Sequence, residues 1–90
     1  MIHVRIRFIS SIADEIGEKE VNLQLDESKN TMKDLIERLD DIYEGRVSRL
    51  VSNHQISVML NGRDITFLAG LYTTLSDGDS VIVVPPIAGG

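Results

Sequence analysis

The first eight residues constrain the fold more than any other stretch. Ile2, Val4, Ile6 and Phe8 alternate with His3, Arg5 and Arg7. Successive side chains of an extended strand point to opposite faces, so the apolar set lies on one face and the charged set on the other. Such a strand is half-buried and needs neighbouring strands and a cover for its apolar side. Val21, Leu23 and Leu25 repeat the alternation after the polar interruption "SSIADEIGEKE", which Gly17 punctuates. Two antiparallel strands joined by a longish loop holding a helical turn are the simplest reading.

Thr31 is then placed to N-cap a helix. Met32, Leu35, Ile36, Leu39, Ile42 and Tyr43 follow it at helical spacing and form one buried stripe. Gly45 is expected to end this helix, and "RVSRLVSNH" reads as an irregular or briefly helical connection. Ile56, Val58 and Leu60, then Asn61-Gly62, then "RDITFL" have the grammar of a β-hairpin closed by a type I′ turn. "LSDGD" supplies another turn at Asp77-Gly78. The continuous apolar run Val81–Val84 suggests a strand covered on both faces.

This order predicts an α+β fold of the β-grasp type: a mixed sheet of four to five strands clasping one main helix. The helix between the early and late strands leaves the last strand free to pair in parallel with the first. A chain of 90 residues suits one domain. We divide it into a β-grasp domain over 1–84 and an extended, flexible tail over 85–90.

Composition narrows the function. With 42% hydrophobic and 26% charged residues the chain matches a globular protein, and no apolar run approaches the roughly 20 residues of a membrane span. "MIHVRIRF" lacks the basic-then-apolar layout of a signal peptide, so a cytoplasmic location and no membrane partner are expected. The absence of cysteine excludes disulfides, thiolate metal sites and a cysteine nucleophile. A net charge of −5 argues against a nucleic-acid surface and suits a basic patch on a protein partner.

Most candidate constellations have plain readings. His3 and His54 lack acidic or histidine neighbours at metal-ligand spacing, so both read as solvated and no metal site is expected. "DGD" at Asp77–Asp79 lacks the further ligands of a calcium loop and reads as a tight turn. Asp14, Glu15, Glu18 and Glu20 read as a solvated acidic face. No Gly-rich phosphate loop ending in Gly-Lys-Ser or Gly-Lys-Thr occurs, so any ATP is to be bound by another protein.

What remains is "PPIAGG". Pro85 and Pro86 stiffen the exit from the last strand, while Ala88, Gly89 and Gly90 add almost no side-chain volume beyond Ile87. Six extended residues reach about 20 Å, enough to thread a narrow channel. The reacting group would be the carboxylate of Gly90. It resists nucleophiles but can attack the α-phosphate of ATP, giving an acyl-adenylate that a sulfur donor, or a thiol and then an amine, can capture. The residues alone leave a second reading open, in which the tail merely frays.

"VIVVPPIAGG", with "LSDGD" before it and "VRIRFISSIADEIG" at the start of the chain, resembles the MoaD family, the small subunits of molybdopterin synthase and ubiquitin-like sulfur carriers. Thiamine-pathway carriers are similar, but the paired prolines favour the molybdopterin type. The resemblance implies a carrier without a catalytic site and without a bound cofactor. An ATP-dependent activating enzyme of the MoeB or ubiquitin-activating type would adenylate Gly90, and a sulfurtransferase system would convert it to a thiocarboxylate. The arm from Pro85 to Gly89 would then enter the large, MoaE-type synthase subunit. Related chains also imply an alternative, a protein modifier joined through Gly90 to lysines of target proteins. The family often has an aromatic residue where this chain has Val84.

A partner surface is sought on the last strand, because packing the helix needs only one of its faces. Either Ile82 and Val84 or Val81 and Val83, with Met59 beside them, would form it, and Arg5 and Arg7 could rim it. Alternatively, the segment from "RDITFL" to "LYTTL" folds over that face.

Overall fold

The computed structural model describes residues 1–86. Strand β1 (Ile2–Phe8) pairs antiparallel with β2 (Glu20–Leu25) on one side. On its other side it pairs in parallel with β5 (Asp79–Val84). Beyond β5 lie β3 (Ser57–Leu60) and a two-residue β4 (Arg63–Asp64), giving the order β2-β1-β5-β3-β4. The parallel pairing of first and last strands is the one expected from the order of elements, and the architecture is the ubiquitin-like β-grasp.

Three helices cover one face of the sheet: α1 (Ser11–Ile16), α2 (Met32–Tyr43) and α3 (Arg46–Ser52). The alternation in β1 translates directly into burial, with Ile2, Val4, Ile6 and Phe8 inward and the residues between them exposed. Met32, Leu35, Ile36 and Leu39 of α2 meet this face together with Leu23, Leu25, Val58, Leu60, Val81 and Val83. The edge of Phe8 meets the Tyr43 ring at a centroid distance of 5.7 Å and an angle of 87°.

Thr31 caps α2 as the sequence suggests. Its hydroxyl accepts from the Asp34 N–H at 3.3 Å, and the Asp34 carboxylate accepts from the Thr31 N–H at 3.0 Å. This reciprocal box satisfies donors that the first helical turn leaves without partners. The helix ends at Tyr43, two residues before Gly45. Glu44 takes the left-handed conformation at φ 57°, and Gly45, at φ 77°, becomes the N-cap of α3.

One open alternative is settled, and two local readings need correction. The connection at "RVSRLVS" is a regular helix, because Val47 and Leu50 reach the core and the Asp40 carboxylate accepts from the Ser48 N–H at 3.0 Å. The hairpin keeps its turn, with Asn61 at φ 49° and Gly62 at φ 86°, but its second strand is only Arg63–Asp64. There the Asp64 carboxylate accepts from the Thr66 N–H and hydroxyl, both at 2.9 Å, turning the chain into a 3-10 turn at Ile65–Phe67 and another at Gly70–Tyr72. Local side-chain hydrogen bonds thus outcompete the ladder.

The second correction concerns β5, which is covered on one face rather than two. Val81 and Val83 are 1% and 2% exposed, whereas Ile82 and Val84 are half-buried. The segment that might have closed over them is held on the helical side. The Met32 N–H donates to the Thr73 carbonyl at 2.9 Å, and the Leu75 N–H donates to the Asn30 carbonyl at 2.7 Å.

Candidate functional site

The open face of the sheet can be laid out from its registers. Arg7 lies opposite Glu20 on one side and Ile82 on the other; Ile82 lies opposite Met59, and Met59 opposite Asp64. In the next row Arg5 sits between Asn22 and Ser80, and at the far end Val84 faces Ser57. Of the two alternatives for the partner surface, the structure leaves Ile82 and Val84 outward beside Met59 and buries Val81 and Val83. Arg5 and Arg7 border this aliphatic strip and are exposed.

The strip leads directly into the tail. Pro85 is half-buried and Pro86 exposed immediately after Val84, with no secondary structure of their own. Ile87, Ala88, Gly89 and Gly90, the remaining tail residues singled out from the sequence, lie outside the described residues.

At the other end of β1 a contact appears that sequence reasoning missed. The His3 N–H donates to Asp77 Oδ1 at 2.7 Å, and the His3 Nδ1 lies 3.0 Å from the same oxygen. The backbone bond first, and the imidazole second, hold the Asp77 carboxyl below the usual carboxylate range. The Gly78 N–H, at φ 86°, returns a bond to the His3 carbonyl at 2.8 Å. One signal could have found this pair: parallel pairing of first and last strands sets the start of β1 beside the turn preceding β5.

The acidic residues Asp14, Glu15, Glu18 and Glu20 are exposed, and the Asp77-Gly78 segment is a turn. Among the described residues no three His, Cys, Asp or Glu side chains gather as a metal-holding group, and no helix is long and apolar enough to cross a membrane. The open face therefore offers an aliphatic strip bordered by charges of both signs, next to a proline-led arm.

Comparison with known proteins fits that geometry. The ThiS family model matches residues 6–90. The chain belongs to the ThiS family. Small archaeal modifier protein 3 of Haloferax volcanii is 32% identical over 93 residues, covering 99% of this chain and 100% of that protein. The sulfur carrier protein CysO of Mycobacterium tuberculosis is 32% identical over 81 residues, covering 82% and 83%. In the solved BexX/CysO complex of Amycolatopsis orientalis, a chain 27% identical superposes with a TM-score of 0.75, covering 97% of this chain and 99% of that one. The ThiS-family chain described here is thus a ubiquitin-like protein of the sulfur carrier and modifier kind.

Proposed function

We propose that this chain is a sulfur carrier whose reactive group is the Gly90 carboxylate. The observation that carries the reading is the outward aliphatic strip Met59, Ile82 and Val84 running straight into Pro85-Pro86, within a family match that reaches Gly90. A partner enzyme grips the strip while the arm reaches its active site. The carboxylate oxygen attacks the α-phosphate of ATP bound by that partner, and pyrophosphate leaves. Hydrosulfide then attacks the acyl carbon, the acyl–phosphate C–O bond breaks, and AMP leaves with the electron pair. The product is a thiocarboxylate at Gly90.

This chain holds no catalytic group in the scheme; it supplies the docking face, the arm and the carboxylate. For the sulfur acceptor we propose a pterin precursor bound by a MoaE-type large subunit, on the strength of "VIVVPPIAGG" and its paired prolines. The cytoplasm, where ATP and such partners occur together, is the compartment this reading requires.

Incubation with ATP, sulfide and the activating enzyme of the same organism should raise the intact mass by the exchange of one oxygen for sulfur. A variant lacking Gly90 should gain nothing. An enzyme shown to be active that leaves the wild-type mass unchanged would refute the carrier reading.

A second reading is favoured by the end-to-end match to Small archaeal modifier protein 3. In it, a lysine amine of a target protein captures the activated carbonyl. Gly90-linked lysine branches in a cellular digest would support it, and the two fates can share one activated intermediate.

A further inference from the structure

We infer that Lys19 is a modification site for the chain's own C-terminus: once activated, Gly90 acylates the Lys19 amine of the same molecule and closes a ring through an isopeptide bond. The inference rests on the carrier reading and adds a fate for the activated end when sulfide is lacking.

The amines of the chain are the Met1 ammonium and the side chains of Lys19, Lys29 and Lys33. The sheet sorts them to two ends of the molecule. The tail leaves at the end where Phe8 lies opposite Val83 and the Ile9 N–H donates to the Val83 carbonyl at 3.0 Å. In the same row the Phe8 N–H donates to the Lys19 carbonyl at 2.9 Å. Lys19 therefore sits two strands across from β5, about 10 Å away. It is exposed, at the rim of a hollow bordered by Ala13, Asp14 and Gly17, and the ion pairs among the described residues leave it out.

The other amines gather at the opposite end. Met1 precedes Ile2, which lies about 20 Å down β1 from Phe8, and its ammonium pairs with Glu27 at 3.7 Å. Lys29 follows Leu25, the partner of Ile2, in a turn where its N–H donates to the Asp26 carbonyl at 2.9 Å. Lys33 stands about 15 Å before Tyr43 along α2, and Tyr43 is the residue that meets Phe8.

Arm length selects among them. The residues from Val84 to Gly90 span about 24 Å at full stretch, and a flexible arm of that size has a root-mean-square length of about 14 Å. That length matches the way to Lys19, with the four-carbon stem of the lysine completing it. The far amines require an arm at its limit turned back along the sheet, where effective concentration collapses.

Closure takes the acyl-adenylate that leaves the activating enzyme before hydrosulfide reaches it. The unprotonated Lys19 Nζ attacks the Gly90 acyl carbon, the acyl–phosphate C–O bond breaks, AMP leaves with the electron pair, and the nitrogen gives its extra proton to solvent. From free carboxylate to amide, the chain loses the elements of one water. The ring has no free C-terminus to accept sulfur, so closure withdraws the carrier from the cycle.

The test incubates the full chain with ATP and the activating enzyme of the same organism, without sulfide, and reads the intact mass. A monomer lighter by one water should accumulate, and its digest should contain a Gly90–Lys19 branch. Lys19→Arg should lower the ring at least about tenfold, while Lys29→Arg and Lys33→Arg stay within about twofold of wild type. Dimer masses in place of the ring, or no ring from an enzyme that forms the thiocarboxylate once sulfide is added, would overturn the proposal. If sulfide yields no thiocarboxylate either, the carrier reading fails, and the ring is judged on the chain bearing a Gly90 α-thioester made by intein cleavage. That thioester should close on Lys19; hydrolysis alone, or closure shared equally with Lys29 and Lys33, would count against the site.

Discussion

Val81 and Val83 differ from Ile82 and Val84 by one step along the same strand, yet the first pair is sealed in the core and the second is left half-covered. Composition does not explain the difference, since all four side chains are aliphatic and β-branched. The cover does. Three helices and the 3-10 turn containing Ile65 lie on one side of β5. On the other side lies a sheet surface that the described residues leave open. An apolar residue paired with strands but not with a second layer is what the proposed docking face requires.

The largest expected effect breaks this symmetry directly. Val81→Asp places a charge in the core beside Ile6 and should cost several kcal/mol, enough to unfold a domain of ordinary stability. Ile82→Asp should lower the unfolding free energy from urea titration by no more than about 1 kcal/mol while lowering loading by the activating enzyme. Comparable unfolding by both substitutions would mean that the open face is structural rather than a docking surface.

Milder truncations sharpen the same contrast. Val83→Ala should cost about 2 kcal/mol, from lost burial plus a residual cavity, against about 0.5 kcal/mol for Val84→Ala. Thr31→Ala removes the capping hydroxyl of α2 and should cost about 1 kcal/mol. Its amide exchange should rise in α2 and the core strands, with the carrier KM unchanged. A changed KM would show that the open face depends on how tightly the covered one is held.

How much of this was legible in the sequence depends on period and length. Strands β1 and β2 and helix α2 carry several apolar repeats each, and α2 announces its start with Thr31. Helix α1 has only Ile12 and Ile16 turned inward, and α3 only Val47 and Leu50, too few repeats to define a period. The true end of β4 was written in Asp64-x-Thr66, a local turn signal hidden inside an apolar-looking segment. The aliphatic strip was legible as a pair of alternatives. Choosing between them needed the third dimension, because both faces of "VIVV" look alike until the helices are placed. The same holds for His3 and Asp77, which are separated by nearly the whole chain.

Acid sensitivity provides the smallest and most discriminating test of the two sides. On the covered side the Thr31 hydroxyl, followed by the Thr31 N–H, holds Asp34 below the usual carboxylate range. At the end of the open side the His3 N–H and imidazole do the same to Asp77. A carboxyl whose folded pKa is depressed binds protons more readily in the unfolded chain. Its contribution is therefore complete above the unfolded value of about 3.9 and fades as pH falls through the lower folded value. Asp77 is exposed and Asp34 only half-buried, so solvent screening keeps each effect modest. Asp34 closes the cap of the helix that covers Val81 and Val83, whereas Asp77 only fastens the start of β1. Urea midpoints at about pH 7 and about pH 3 should show that Asp34→Asn removes more of the acid-induced loss than Asp77→Asn does. An equal or larger change for Asp77→Asn would mean that the latch beside the open face holds the sheet as firmly as the helix behind it.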